Sequence, residues 1–409
     1  MKPENRLKHV KVLVIGAGPC GLSIAHQLLS MGETSFLVLE REDEVGGLCR
    51  SEMVDGSPLD IGGGHFLDVK RKEVLGFLFR FMPREEWTEF RRVAKIRLRG
   101  HLVDHPLEAN LWQLPRMDQV EFLLSIAQAG CIRGDEVPGS FGEWIRWKLG
   151  TRIADEYMLP YNRKLWCIDL ERLGTYWLDK LPAVSLRETL LSCLEGRPFG
   201  NLPAHEVFLY PRNHGYGEVW RRMGSELKDH LITGCPVISV DAETRVVNGA
   251  FSADRIITTI PWPLWPDFCA LPAKVAAIAR RLFNTSVDVN YFPNDKSTSA
   301  HWIYEPAENV SYHRILARRN FCRNSQGYWT EANALRMAER GTWQHRNEFA
   351  YPVNTVEKPE AIATMLEWAR ARGIVGAGRW GTWEHMNSDV AVSEGIRTAL
   401  EAVEEIKKK

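Results

Sequence analysis

Lys11-Val12-Leu13-Val14-Ile15 is a short continuous apolar run, the pattern of a strand buried on both faces of a parallel sheet. Leu22, Ala25 and Leu29 then recur at helical spacing over 21–31, Gly32 closes that helix, and Phe36-Leu37-Val38-Leu39 follows as a second strand. The opening therefore reads strand, helix, strand. From Val74 to about Cys193 the pattern is mostly helical, rich in Trp and Arg and punctuated by Pro83, Pro106, Pro115 and Pro138. The exception is Val93 to Val103, where Ile96 and Leu98 alternate with Lys95, Arg97 and Arg99 as in a half-exposed strand. That strand reads as a solvated face, with phosphate contact as the alternative. Strand-like runs return at Val207-Phe208-Leu209-Tyr210, Val237-Ile238-Ser239-Val240 and Ile256-Ile257-Thr258-Thr259-Ile260, and a second mixed segment spans about 270–355. The last element, about 389–406, carries Val392, Ile396, Ala399, Val403 and Ile406 at helical spacing and ends in three lysines, where cations favour a helix C-terminus.

Composition narrows the class. With 409 residues, two or three structural units with sizeable cores are expected. Lys plus Arg (52) equals Asp plus Glu (52), so no bulk field favours nucleic acid or an anionic membrane, and any anion recognition must be local. Eight scattered cysteines form no Cys-x-x-Cys pair, which argues against a zinc site, a redox dithiol or a disulfide framework. No metal site is expected. The polar N-terminus lacks a signal-peptide core and no apolar run reaches membrane-spanning length, so a cytoplasmic location is the default expectation.

The chemistry begins at Gly16-Ala17-Gly18-Pro19-Cys20-Gly21, which ends the first strand and opens the helix. Gly16 permits the tight turn, Gly18 lets backbone approach a pyrophosphate, and Gly21 lets the helix pack close to the sheet. Pro19 and Cys20 stand at the helix N-terminus, whose free amides and dipole favour phosphate. Glu40 ends the second strand 24 residues after Gly16, where a carboxylate accepts from a ribose, and Arg41 follows it. Two further glycine turns come at once, Gly46-Gly47-Leu48 and Gly62-Gly63-Gly64-His65. Three such turns within fifty residues let backbone pass close to an extended ligand, which points to FAD rather than a simple nicotinamide site. His65, beside a glycine turn, reads as functional ahead of structural.

These motifs in this order resemble the flavoprotein group of amine oxidases, protoporphyrinogen oxidases and UDP-galactopyranose mutases, over nearly the whole chain. Gly63-Gly64-His65-Phe66 is similar to the mutases' glycine–histidine loop beside the flavin ring. The run Tyr157 to Trp166, with Asn162, resembles their Pro-Tyr-Asn-x-Lys-x-Trp nucleotide segment. Tyr210-Pro211 with Gly215-Tyr216-Gly217 and Trp220 is similar to their aromatic-Pro stretch. Trp302-Ile303-Tyr304 followed by Arg314 resembles an aromatic pair with a diphosphate-binding arginine, and Tyr351-Pro352 a phosphate-contacting tyrosine. Gly378-Arg379-Trp380-Gly381-Thr382-Trp383 with Asp389 is similar to the C-terminal flavin motif. Asp389 reads equally as a simple helix cap. The resemblance implies an α/β fold: a Rossmann-type FAD domain of the glutathione-reductase kind from 8–70, 205–268 and 368–409, a helical unit over 71–204 and a mixed sheet unit over 269–367. It places Val237 on a strand near the adenine end and Arg379 by the flavin's pyrimidine side.

The departures from the mutase pattern bear on substrate. The second diphosphate arginine would fall at Lys180-Leu181, the Tyr-Pro-Phe-Gln turn reads His105-Pro106-Leu107-Glu108, and a phosphate-binding tyrosine reads His385. Either Arg163, Arg318 or Arg319 compensates, or the substrate is not UDP-galactose. The resemblance implies FAD-dependent isomerisation of a nucleotide sugar, pyranose to furanose, with the reduced flavin N5 as nucleophile at the anomeric carbon. His65 and Arg314 are then the catalytic candidates, and Tyr157, Asn162, Trp166, Lys180, Trp302, Tyr304, Tyr351 and His385 join Arg314 on the substrate. NAD(P)H is the reductant that the resemblance admits. The alternatives are an FAD-dependent oxidoreductase of the amine oxidase or protoporphyrinogen oxidase type, and a flavin-bound protein without catalysis.

Overall fold

The structure, a computed structural model, describes residues 7–132, 134, 136–178, 184–200 and 206–407. Its first sheet follows from the apolar opening. Lys8–Ile15 lies between Phe36–Leu39 and Phe251–Thr258, parallel to both, and Leu231–Ile232 and Ile374–Gly376 add further parallel strands. Val12, Leu13 and Val14 are fully buried because both sheet faces are covered. The helix Pro19–Ser30 packs against the helix Ser388–Lys407 on one face, and Gly32 with φ +75° turns the chain after the former. Strands from 8–39, 231–258 and 374–376 thus meet in one α/β sheet, the arrangement of FAD-binding Rossmann-type folds.

A second seven-stranded sheet runs Trp343–Pro352, Asn284–Phe292, Tyr328–Asn333, Arg314–Leu316, Trp302–Tyr304, Ala94–Leu98, His101–Asp104. Its last two strands fall in the segment Val93 to Val103, where the alternation predicts a strand inside the otherwise helical stretch, and they form a hairpin there. A further strand of the helical stretch, Trp87–Arg91, was not legible as one. It pairs with Val207–Pro211, which joins Leu67–Asp68 in a separate three-stranded sheet rather than the dinucleotide sheet. Of the run 237–240, only Val240 begins a strand, Val240–Asp241; Val237 lies outside any strand, half-buried at the edge of the core. The reason is local. Pro236 cannot donate to a ladder, and the side chain of Asn248 accepts the amides of Ile238 and Ser239 that a strand partner would need.

The helices of 107–195 pack around Phe122, Phe141, Ile145, Ile153 and Leu173, all fully buried, as a core of their own. The basic stripe of Ala94–Leu98 is a surface ion-pair face. Lys95 pairs with Asp104, Arg97 with Glu305, and Arg99 with Asp118, Glu121 and Glu156. All eight cysteines are free thiols. Among the described residues no helix is long and apolar enough to cross a membrane and no group of side chains could hold a metal ion.

Candidate functional site

The three glycine turns converge. Gly16 has φ +100°, and its amide donates to Leu39 at 2.8 Å. A side chain on Gly21 would strike the Gly16 carbonyl, so the helix approaches the strand end only without one. At Gly18 the space beyond is open, which is the room a ligand's phosphates need. Gly18 caps the helix Pro19–Ser30 with no side-chain hydrogen bond, leaving its first amides available. The second turn docks on the first: Gly46 (φ +108°) donates to Ala17, and a Cβ on Gly47 would stand 3.4 Å from the Gly18 Cα. Glu40 is buried, accepting from Ala17 N at 2.7 Å and Glu42 N at 3.0 Å, which fixes its carboxylate at the strand end. Arg41 is exposed and pairs with Glu42. Leu48 is half-buried and packs beside the dinucleotide-sheet core. Cys20 is buried, its thiol pushed up by desolvation and then by Glu394. This bare cradle with free amides fits the ADP half of FAD.

The third turn opens into a cavity of about 1270 Å³. It begins at Gly64, His65 and Phe66, passes Arg314, Tyr304 and Tyr351, and ends against the helices Phe141–Ile153 and Leu159–Trp166. Gly63 holds φ +90°, and a Cβ there would collide with the Glu331 carboxylate. The Gly64 amide donates to Glu331 at 2.9 Å, and the same carboxylate clamps Arg314 through Nε (2.9 Å) and Nη2. Glu331 therefore ties the cavity's guanidinium to the glycine turn. The sequence signal for it is Glu331 itself, the charged residue of the otherwise uncharged strand Tyr328–Asn333. His65 Nδ1 lies 3.3 Å from the Gly63 carbonyl, and its ring faces that of Tyr216 at 6.4 Å. Desolvation, then Arg379 and Arg314, pushes its pKa down to about 3, so it is a neutral imidazole.

Arg379 is half-buried and, among the described residues, held by carbonyls alone, Ala350 at 2.8 Å and Met386 at 2.6 Å, with Tyr351's ring 5.7 Å away. Among the described residues no carboxylate pairs with it, and burial lowers its pKa. It offers the cavity an uncompensated positive charge. Asp389 sits in the first turn of Ser388–Lys407, and Arg71 donates to its Oδ2 at 2.9 Å while Oδ1 has no hydrogen-bond partner among the described residues.

Eight of the nine predicted substrate residues line this cavity, with different degrees of freedom. Tyr157, Tyr161 and Tyr304 form a chain of rings with centres 6.1 and 5.5 Å apart. Asn162 and Trp166 satisfy each other through Trp166 Nε1 at 2.9 Å, so they shape the wall more than they reach into it. Trp302 stacks on Phe66 at 5.2 Å, and Tyr351 meets His385 edge-on at 5.1 Å. Lys180 lies outside the described residues. None of the three arginines expected to compensate borders the cavity. Arg163 pairs with Glu308 at the surface, Arg319 with Asp295, and Arg318 is spent on the Val54 and Pro58 carbonyls. Arg92 is the cation that sequence reading missed. Its guanidinium lies over Trp302 and reaches Tyr304 Oη (3.4 Å) and His105 Nδ1 (3.3 Å). It stands between two short strands, where no spacing marks it.

Residues 19–293 match the model of the flavin containing amine oxidoreductases. A putrescine oxidase of Kocuria rosea is 26% identical over 288 residues, which cover 66% of this chain and 56% of that protein. The chain thus matches little more than half the length of this relative. Among solved structures, a reduced UDP-galactopyranose mutase superposes with a TM-score of 0.86 at 22% identity, over 96% of this chain and 94% of that one. A putrescine oxidase bound to putrescine superposes with a TM-score of 0.64 at 15% identity, over 97% and 99%. At such identities the superpositions show the fold. The chain belongs to the flavin containing amine oxidoreductase family, a flavoenzyme with FAD as its cofactor.

Proposed function

We propose that the chain is an FAD-dependent isomerase of a nucleotide sugar, built on an FAD unit of 8–70, 205–268 and 368–409 with the other two units closing the cavity. Gly16, Gly18, Pro19, Cys20, Gly21 and Glu40 hold the ADP half, with Arg41, Gly46, Gly47, Leu48 and Val237 along its course. Gly63, Gly64, His65, Arg379 and Asp389 surround the ring. Reduced, the cofactor supplies a nucleophile for the anomeric carbon.

One observation carries this reading: the cavity gathers Arg314 with the phenols of Tyr161, Tyr304 and Tyr351. Its lining has six cationic side chains against four carboxyls; Arg71 and Asp389 pair with each other, Glu384 pairs with Lys358 outside the lining, and Arg314 is itself paired with Glu331, which leaves four cations against Asp68 and Glu108. Such a surface suits a diphosphate and repels a substrate ammonium. As the anomeric C–O bond breaks, the departing diphosphate gains charge, which in this reading Arg314, fixed by Glu331, and the Tyr304 and Tyr351 hydroxyls stabilise. His65, neutral, donates or accepts a hydrogen bond without adding charge beside the ring. The overall mutase-like superposition supports the same assignment.

The test is to incubate the dithionite-reduced enzyme with GDP, UDP and dTDP sugars and separate pyranose from furanose forms, with cyanoborohydride added in parallel to trap sugar on the flavin. Interconversion and sugar-bearing flavin are expected. The sequence relationship to a putrescine oxidase favours the second reading, oxidation of an amine. Flavin bleaching by diamines with peroxide release in air, and no interconversion of any sugar, would establish that instead.

A further inference from the structure

We infer that Glu108 selects the base of the nucleotide substrate, and that this base presents two adjacent N–H donors, as guanine does. The inference rests on the nucleotide-sugar reading and adds the identity of the nucleotide.

The cavity has two ends in different packing environments. The Gly64–Phe66 end adjoins the core under the dinucleotide sheet, whereas Phe141, Leu149 and Tyr157 belong to the helical core. Arg314 is tied to the first end through Glu331 and Gly64. From Arg314 the wall continues through Tyr161 and Tyr157 to Glu108, whose charge is felt by the Tyr157 phenol, and then to Lys148. A sugar lying against Gly64 and His65 with its diphosphate at Arg314 puts its base among Tyr157, Trp144 and Glu108.

Glu108 is 7% exposed and borders the cavity, yet among the described residues its carboxyl makes no hydrogen bond beyond its own backbone amide. Desolvation raises its pKa, and the neighbouring Lys148 charge opposes that rise. Its neighbours do not use it: Asn110, on the same short helix, donates to the Pro106 carbonyl. A carboxylate that borders a cavity and is bonded, among the described residues, only to its own amide is placed for a donor that arrives with the ligand.

The donor pattern distinguishes the bases. Guanine presents N1–H and the exocyclic amine side by side, matching both carboxylate oxygens, and its O6 lies next to them as an acceptor for an ammonium such as Lys148. Uracil and thymine offer one N–H between two carbonyls, which a carboxylate repels. Cytosine sets a lone pair beside its amine. A glutamine at this position would have suited uracil, since its amide both donates and accepts.

The experiment titrates the FAD-loaded holoenzyme with GDP, IDP, UDP and CDP, following flavin fluorescence. GDP should bind at least about tenfold more tightly than UDP or CDP, with IDP, which lacks the exocyclic amine, in between. Glu108→Gln should weaken GDP at least about tenfold and leave UDP unchanged or tighter, with the flavin spectrum intact; Glu108→Asp keeps the carboxylate and the preference for GDP. UDP or CDP binding as tightly as GDP, or an E108Q variant with the wild-type ratio of GDP to UDP affinity, overturns the role of Glu108 and leaves the nucleotide reading standing. Failure of all four diphosphates to bind overturns the nucleotide reading itself. If E108Q loses FAD, the comparison of GDP, IDP and UDP on the wild-type protein decides alone.

Discussion

Replacing Arg314 with methionine isolates the charge pair that joins the cavity wall to the turn at Gly64. The Glu331 side chain is 1% exposed and takes two hydrogen bonds from the guanidinium, one of 2.9 Å from Nε and a shorter one from Nη2. Without Arg314 the carboxylate keeps, among the described residues, only the Gly64 amide and His313, whose Nε2 is 3.7 Å away. His313 is neutral in the wild type because desolvation, then Arg314 and Lys164, pushes its pKa well below the imidazole range. Stranding one member of a buried pair costs about 3–5 kcal/mol. Since removing Arg314 also relieves His313 of a neighbouring charge, the cost should fall at the lower end, about 3 kcal/mol. Adding Glu331→Gln removes the stranded charge and keeps an acceptor for Gly64, so the double variant should regain about 2 kcal/mol over R314M alone. Urea unfolding of the FAD-loaded proteins, followed by tryptophan fluorescence, measures both differences. A loss below about 1 kcal/mol for R314M, or a double variant no more stable than R314M, would refute the clamp.

Three other outcomes follow from the same geometry. Gly21→Ala drives a methyl into the Gly16 carbonyl and should yield protein largely free of FAD; a full 450 nm flavin band at normal stoichiometry contradicts the cradle. The Tyr351 hydroxyl makes no hydrogen bond to the protein among the described residues, so Tyr351→Phe should leave stability unchanged within about 0.5 kcal/mol while weakening nucleoside diphosphate binding about three- to tenfold, as read by titration. Stability should fall on acidification. Desolvation holds His65 and His105 down to about 3, His301 to about 4 and His313 well below its usual range, so from pH 6.5 down to about 4 the unfolded chain binds up to four more protons than the folded one. Asp60, raised by burial to about 7, contributes stability that is present at low pH and lost as pH rises through 7, and so offsets one of the four. The net slope is up to about 4 kcal/mol per pH unit, and a flat urea midpoint from pH 7 to 5 would show that these imidazoles are not desolvated.

What the sequence determined by itself was what depends on neighbours along the chain. A turn that only glycine can make, a helix that starts on free amides and an acid at a strand end are local statements, so Gly16, Gly18, Gly21 and Glu40 announce a dinucleotide cradle before any contact is known. The apolar run Val12 to Ile15 likewise declares a strand covered on both faces. The short strand Trp87–Arg91, and the sheet to which the legible strand Val207–Pro211 belongs, were settled only by pairing across more than a hundred residues, since half-buried strands owe their stability to partners rather than to their own pattern. The cavity was decided the same way. Arg92, Glu108 and Glu331 acquire meaning from what burial leaves them to bond with, and Arg163, Arg318 and Arg319, equally basic on paper, were consumed by carboxylates and carbonyls elsewhere. Charge is written in the sequence; whether a charge is free to meet a ligand is a property of the packed structure.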